Sequence, residues 1–474
     1  MRGLPTADRR LWLTRLTGVA ALLLIGVTWP LWLPPTPTSF PQLPLFGWLI
    51  PAPAWCDWIA LAGALLGAVG MAVLCEPEAQ ARPDAAPPRL RFGLTRALAF
   101  APALFTISLA FALALNQIRV QVWAYQFLLL GSVLSLCPRT ETGDRAAVAL
   151  GRVLAMGILF HSGLSKLDLA FAEGPGRWLM GGFLGLFGVE ADGLDEKAVA
   201  AIAFAVPAWE IALSLLLALP GTRRVGLIAA VFMHTSVVAT LWKLDQSWGV
   251  LLWNAFFLAH EFLLFWPAPR AEGVPLWTTL RTAGPRAAPA ALLILAAVLL
   301  PFGTRSGSWD VWPGWAVYAG GVPRAVIMRG TNGDDWERAG RSFAARPDHH
   351  PGDSFSLAPI TTLDMERSGL AELFAPIPQD PRTRVGVART LEARSRAESR
   401  RSLGESSDVM DMVMAAPDDE IQLYSVTRTT PNGRWDEPIA ERWGLGQRRG
   451  IDNLLDSFLL NARPRALSLP AEAR

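Results

Sequence analysis

Charge is scarce in this chain. Asp, Glu, Lys and Arg make up 18 % of its 474 residues, where soluble domains run near a quarter. Over so long a chain that shortfall argues against one soluble globular enzyme. Lysine is scarcer still: Lys166, Lys197 and Lys243 are the only three, beside 40 arginines. A lysine in an unusual place therefore needs a reason. The three cysteines, Cys56, Cys75 and Cys137, lie far apart with no Cys-x-x-Cys. That spacing excludes a disulfide scaffold and a zinc ribbon. A net charge of +2 leaves no global basic field, so nucleic acid is not an expected partner. Apolar residues are plentiful instead, at 51 % of the chain with a mean hydropathy of +0.30. Twenty tryptophans stand against three tyrosines, an aromatic load of the kind interfacial belts carry. This is the composition of a membrane protein, with the lipid bilayer as its solvent.

A span needs about 20 mostly apolar residues, and nine segments qualify. They are Leu11–Leu33, Trp55–Cys75, Ala97–Gln117, Val120–Cys137, Ala146–Phe171, Ala198–Leu219, Val225–Leu244, Trp248–Trp266 and Ala287–Phe302. The last is short and the third and fourth nearly touch, which leaves eight or ten as alternatives. The first follows a basic stretch but lacks a small-residue cleavage site, so it reads as a retained span. Loop charges test the count through the positive-inside bias. With the N-terminus inside, the cytoplasmic segments hold 14 arginines, while the outer connections and span ends hold Arg119, Arg177, Lys197 and Lys243. The outer loop Pro34–Ala54 carries no charge. An odd number of spans then puts the C-terminal region outside. Glu76–Pro88 reads as a cytoplasmic linker.

From Gly303 onward the composition turns polar, long enough for one small domain. Trp315–Arg329 and Ile421–Thr429 read as strands, with a turn at Pro431-Asn432-Gly433. Arg384–Arg401 and Ile451–Leu460 read as helices. Arg394–Arg401 is either a phosphate or headgroup patch or a solvated helix face. The expected fold is an all-α polytopic membrane helix bundle of about nine spans over residues 1–303, N-terminus inside. A small α+β extracytoplasmic domain over residues 304–474 completes it.

Ionisable groups within a span are costly and are functional candidates by default. His161 lies near the middle of the fifth span, Glu210 of the sixth and His234 of the seventh. His260 and Glu261 lie close to the centre of the eighth. Four consecutive spans thus bring an ionisable group to a similar depth. Pro207, three residues before Glu210, frees a backbone carbonyl one turn earlier and predicts a kink. Imidazoles with carboxylates would suit zinc or iron, but no His-x-x-His or Glu-x-x-His spacing occurs, and no metal site is expected. Two readings stay open: a buried polar network that fixes helix packing, and a cavity that handles protons or a ligand. Helical phase puts His161, Ser165 and Asp168 on one face, with Lys166 about 140° round from His161 beside Ser162 and Gly163. Lys166 either snorkels outward to pair with Asp168 or Glu173, or serves as a functional amine. Asn254 and Glu261 share a face of the eighth span, while His260 points elsewhere. The apolar, glycine-bearing run Trp178–Phe183 either lids the cluster or lies flat as a surface helix.

The run Ile158-Leu159-Phe160-His161-Ser162-Gly163-Leu164-Ser165-Lys166-Leu167-Asp168 resembles the HTTM domain. This is the membrane module shared by vitamin K-dependent gamma-carboxylases and many bacterial proteins. The family pattern there is an aromatic, a small-Gly pair and a lysine followed by Leu-Asp, then a tryptophan and a glycine, places that Trp178 and Gly181 would fill. Phe232-Met233-His234-Thr235 looks like the histidine-bearing helix of the same module. Asn116–Gln126 resembles a loop and helix start of HTTM-like and DoxX/MauE-like proteins. Trp309–Tyr318 looks like the segment that follows their last span. The resemblance implies that Lys166 is the base that starts oxygenation of a reduced quinone. It departs from the carboxylases at Ser165-Lys166, where they carry two adjacent lysines, and in lacking their large luminal domain. DoxX and MauE relatives imply quinone- or redox-linked roles, without a cysteine pair here for thiol relay.

Residues and resemblance together give a bundle with a midplane cavity for a quinone or other lipid-like ligand. Lys166 would be base or anchor, His161, Glu210 and His234 would manage protons, and Asn254, His260 and Glu261 are candidates for cofactor contacts. The alternative is a non-enzymatic protein that helps assemble or export a protein partner, with the outer domain as its working part.

Overall fold

The structure is a computed structural model. It describes residues 5–36, 39–73, 88–190, 193–266, 275–304, 306, 308–319, 324–330, 356–357, 360–362, 370–378, 382–387, 390, 420–426, 440–444 and 460–465. The bundle opens with α1 (Thr6–Val27), the short α2 (Trp29–Trp32), α3 (Trp55–Val73), α4 (Pro88–Leu115), α5 (Val122–Leu136) and α6 (Glu141–Ser165). The connection after α6 holds α7 (Leu169–Glu173), α8 (Pro175–Gly185) and α9 (Glu196–Ala203). Then come α10 (Ala205–Ala218), α11 (Arg223–Lys243), α12 (Trp248–Phe265), α13 (Leu276–Ala283) and α14 (Ala288–Leu299).

Among the described residues, seven helical stretches are long and apolar enough to cross a membrane: Thr6–Val27, Trp55–Val73, Glu141–Ser165, Lys197–Ala218, Arg223–Lys243, Trp248–Phe265 and Pro285–Gly303. That is the build of a multi-pass membrane protein. The third and fourth expected spans are not among these seven. They fall on α4 (Pro88–Leu115), of which Phe100–Leu115 is apolar, and on the shorter apolar helix Val122–Leu136, with a 3-10 turn at Gln117–Arg119 between them. Large apolar side chains point outward from the helices, with Leu23 52 %, Leu66 67 % and Ile228 73 % exposed. Such a surface suits lipid and not water.

Helices in an apolar solvent pack through small residues that let backbones close in. A Cβ added at Gly67 of α3 would lie 2.5 Å from the Phe105 amide nitrogen of α4. The freed carbonyls at helix ends need donors, and arginines supply them. Arg9 donates to the carbonyls of Leu264 (3.1 Å) and Trp266 (2.8 Å) at the end of α12. Arg10 closes the end of α5 through the Leu134 and Cys137 carbonyls, both at 2.8 Å, and pairs with Asp144 at 2.7 Å. Thr140 caps the start of α6 by accepting the Gly143 amide at 3.1 Å, with Glu141 and Asp144 favourably placed in the first turn.

At the opposite end of α1 lies a fully buried charge cluster. Asp57 Oδ1 accepts from Arg119 at 2.8 Å and Oδ2 from Arg465 at 2.7 Å, with all three side chains at most 1 % exposed. The second cation is balanced by neutral oxygens: Arg119 also donates to the Leu31, Trp32 and Leu33 carbonyls, and Arg465 to Gln42 Oε1 and the Ala52 carbonyl. Arg465 belongs to the C-terminal segment, which is thereby tied to the bundle. Nearby, Arg382 joins Gln117 (2.7 Å) and Asp310 (2.6 Å), and Gln121 donates to the Pro376 carbonyl at 3.0 Å.

Beyond the bundle, five antiparallel strands run in the order β2-β3-β1-β4-β5. They are β1 (Arg324–Gly330), β2 (Ser356–Leu357), β3 (Ile360–Thr362), β4 (Glu420–Val426) and β5 (Ala440–Gly444). The strand expected over Trp315–Arg329 starts only at Arg324. Trp315 and Tyr318 take positive φ (both 59°), and the Trp315 indole donates to the Ala297 carbonyl at 3.1 Å, so this stretch turns back onto the bundle. The expected turn at Pro431–Gly433, the Arg394–Arg401 patch, nearly all of the Ile451–Leu460 helix and most of the Glu76–Pro88 linker lie outside the described residues.

The charge cluster yields a stability test. Asp57→Asn leaves two guanidiniums buried without a carboxylate, which is expected to cost about 3–5 kcal/mol. Arg465→Met keeps the Asp57–Arg119 pair and should cost clearly less. Thermal unfolding in detergent checks the order; equal losses would contradict it.

Candidate functional site

α6 stops at Ser165, with Lys166 as its cap residue. A helical side chain leans toward the preceding turn, and Lys166 follows that direction. Its Nζ donates to Ser162 Oγ at 2.8 Å and to both Glu210 oxygens at 2.8 and 2.9 Å. The amine therefore reaches back into the bundle, and its carboxylate is Glu210 of α10. The expected pairing with Asp168 or Glu173 is replaced by this one. Because the helix ends, Asp168 also leaves the face of His161 and Ser165, and caps α7 by accepting the Phe171 amide at 2.7 Å.

Two local features bring the pair together. At the α6–α10 crossing, a Cβ on Gly163 would lie 2.7 Å from the Pro207 carbonyl oxygen and 3.2 Å from Glu210 Cβ. Only glycine permits that approach. The kink expected from Pro207 is present as the break between α9 and α10 at Phe204.

The pair closes one side of a cavity of about 70 Å³. His234 and Asn254 supply further polar lining, Met233, Val237, Trp253 and Phe257 apolar lining, and Val317 and Tyr318 complete the wall. Tyr318 is held by its hydroxyl donating to Gln246 at 3.1 Å and lies 6.0 Å from Trp178 of α8, ring to ring. α8 packs on α11, with Gly182 against Leu244; the Trp178–Phe183 run is thus a helix at the cavity's edge.

The expected residues divide into three groups. Lys166, Glu210, His234 and Asn254 share the cavity wall. Glu261 stands behind it, with Oε2 at 3.5 Å from His234 Nε2. His161 and His260 are elsewhere. His161 donates from Nε2 to the Val298 carbonyl at 2.7 Å and packs on Phe302 at 4.8 Å; it ties α6 to α14, since its helical phase turns it away from Lys166. His260 stacks on Phe256 (5.5 Å) and Phe257 (6.0 Å), and its ring nitrogens have no hydrogen-bond partner among the described residues. Among the described residues no three His, Cys, Asp or Glu side chains gather in a way that would hold a metal ion. Sequence reasoning passed over Asp57 and Tyr318, whereas helical phase had already placed Ser162 beside Lys166.

No family model, curated protein or solved structure matches the chain, so the reading of the site rests on its own geometry.

Two substitutions test that geometry. Gly163→Leu should force α6 and α10 apart and abolish the Lys166–Glu210 contact, with a loss of thermal stability. Lys166→Met should also destabilise, by about 3 kcal/mol, because it strands a carboxylate. Adding Glu210→Gln should recover most of the loss. Additive losses in the double variant would show that the two side chains do not interact.

Proposed function

We propose that this chain is a multi-pass protein of the cell inner membrane that holds the polar head of a quinone or other lipid-like ligand in the cavity and moves protons to or from it. One observation carries this reading: the ammonium–carboxylate pair, with Lys166 buried and Glu210 half-buried, and a histidine face a common cavity whose lining is otherwise mainly apolar and aromatic. Lys166 anchors the ligand or acts as base, with Glu210 as its counter-ion and His234 as the proton-handling group. The likeness of residues 158–168 to the HTTM module supports the same assignment. In this proposal the N-terminus is cytoplasmic and residues 304–474 form a small α+β domain outside.

Size restricts the ligand. A cavity of about 150 Å³ admits benzene, and this one is about 70 Å³. A ring-sized head therefore enters only if lining side chains shift. The alternative, an assembly or export protein, requires no ligand there.

Protein purified in mild detergent and extracted for lipids should release about one quinone per chain. Lys166→Arg keeps the charge but not a titratable amine; it should retain the quinone yet lower its turnover a hundredfold or more. Ordinary phospholipid alone in the extract would favour the assembly reading, and full function in the arginine variant would reduce Lys166 to an anchor. Topology is checked separately: a reporter fused after Gly303 should be active only outside, and one at Pro87 only inside.

A further inference from the structure

We infer that His234 and Glu261 hold one proton between them and so form a buried proton store behind the cavity; the use of that store rests on the ligand reading above, its existence does not. The inference starts from Asn254. Its Nδ2 donates to the Val250 carbonyl at 2.9 Å, one turn back on its own helix, which turns its Oδ1 toward His234. That oxygen is a pure acceptor, and it lies 3.2 Å from His234 Nδ1. Nδ1 must therefore carry the hydrogen. In a neutral imidazole the other nitrogen, Nε2, is then an acceptor.

Nε2 faces Glu261 Oε2 at 3.5 Å. Neither atom has a hydrogen-bond partner among the described residues, and the same holds for the second carboxylate oxygen. A bare nitrogen lone pair against an ionised carboxylate would be repulsive, in a place where His234 is 3 % and Glu261 0 % exposed. An isolated buried carboxylate is also costly in itself. One proton removes both problems, whether it rests on the imidazole as an imidazolium–carboxylate pair or on the carboxyl as a neutral acid donating to Nε2. Either state leaves the pair with no net charge.

The surrounding charges do not supply a substitute. Across the cavity Glu210 of α10 is already matched by Lys166 of α6. Arg9 of α1 and Arg152 of α6 are held at the Leu264 carbonyl, nearly one turn further along α12. His260 of α12 is stacked among phenylalanines. His234 belongs to the cavity wall, so a stored proton is one side chain away from anything bound there. Glu261 is a positioning residue in this scheme: it acts through His234 and does not touch the cavity.

The test uses the full-length protein in detergent, with no ligand added, at pH 7. Histidine-selective nitrogen-15 spectra, with His234→Gln to assign the signal, are combined with infrared spectra of the carboxyl region. The expected result is His234 as an imidazolium, or as the Nδ1–H tautomer together with a protonated-carboxyl band. Glu261→Gln should convert the first to a neutral Nδ1–H imidazole or remove the band of the second. A neutral His234 beside an ionised Glu261, in either tautomer, overturns the proposal, and this is read on the wild-type protein even if Glu261→Gln does not fold. Quinone bound without a stored proton would refute the store alone; a stored proton without bound quinone would refute the ligand reading alone.

Discussion

Glu210 sits on an apolar helix, and its charge is tolerable there because an ammonium reaches it across a crossing narrow enough for a direct bond. Gly163 sets that distance by letting the α6 backbone meet the Pro207 carbonyl. The end of α6 at Ser165 sets the direction, since a lysine at the cap leans back over its own last turn to Ser162 and Glu210. If α6 ran on to Phe171, Asp168 would lie on the face of His161.

Apart from Lys166, Glu210 and the His234–Glu261 pair, the described bundle gathers its buried charges at its two ends, where helix termini expose oxygens. Arginine is suited to this because its planar, permanently charged fork serves several carbonyls at once. Arg9, Arg10 and Arg119 each do so. Lysine, with a single flexible ammonium, stands at Lys166, where one carboxylate is to be matched. The near-exclusion of lysine from a chain rich in arginine fits that division. Arg465 extends the same principle to the C-terminal segment, whose attachment runs through a carboxylate already shared with Arg119.

Much of the bundle was legible because a bilayer imposes a simple length and composition rule. The break between the third and fourth expected spans was legible as well, because Asn116, Gln117, Arg119 and Gln121 interrupt the apolar run where the backbone turns. At the site, the ionisable residues stood out one by one, but depth along a helix does not fix the face. His161 and His260 share the depth of the others and face different neighbours. The pairing of Lys166 with Glu210 depends on where α6 stops and on a glycine contact 44 residues distant in the chain. Asp57 was passed over because a single acid near a span end is ordinary until Arg119 and Arg465 are seen to converge on it.

The most direct measurement is a cryo-electron microscopy map of the protein in nanodiscs formed from its own membrane lipid. A head group lying against Lys166 and Glu210, with lining side chains displaced to admit it and a tail running out between apolar helix faces, is the expected result. A cavity closed in every particle class, or Lys166 turned outward with Glu210 left unpaired, would contradict it.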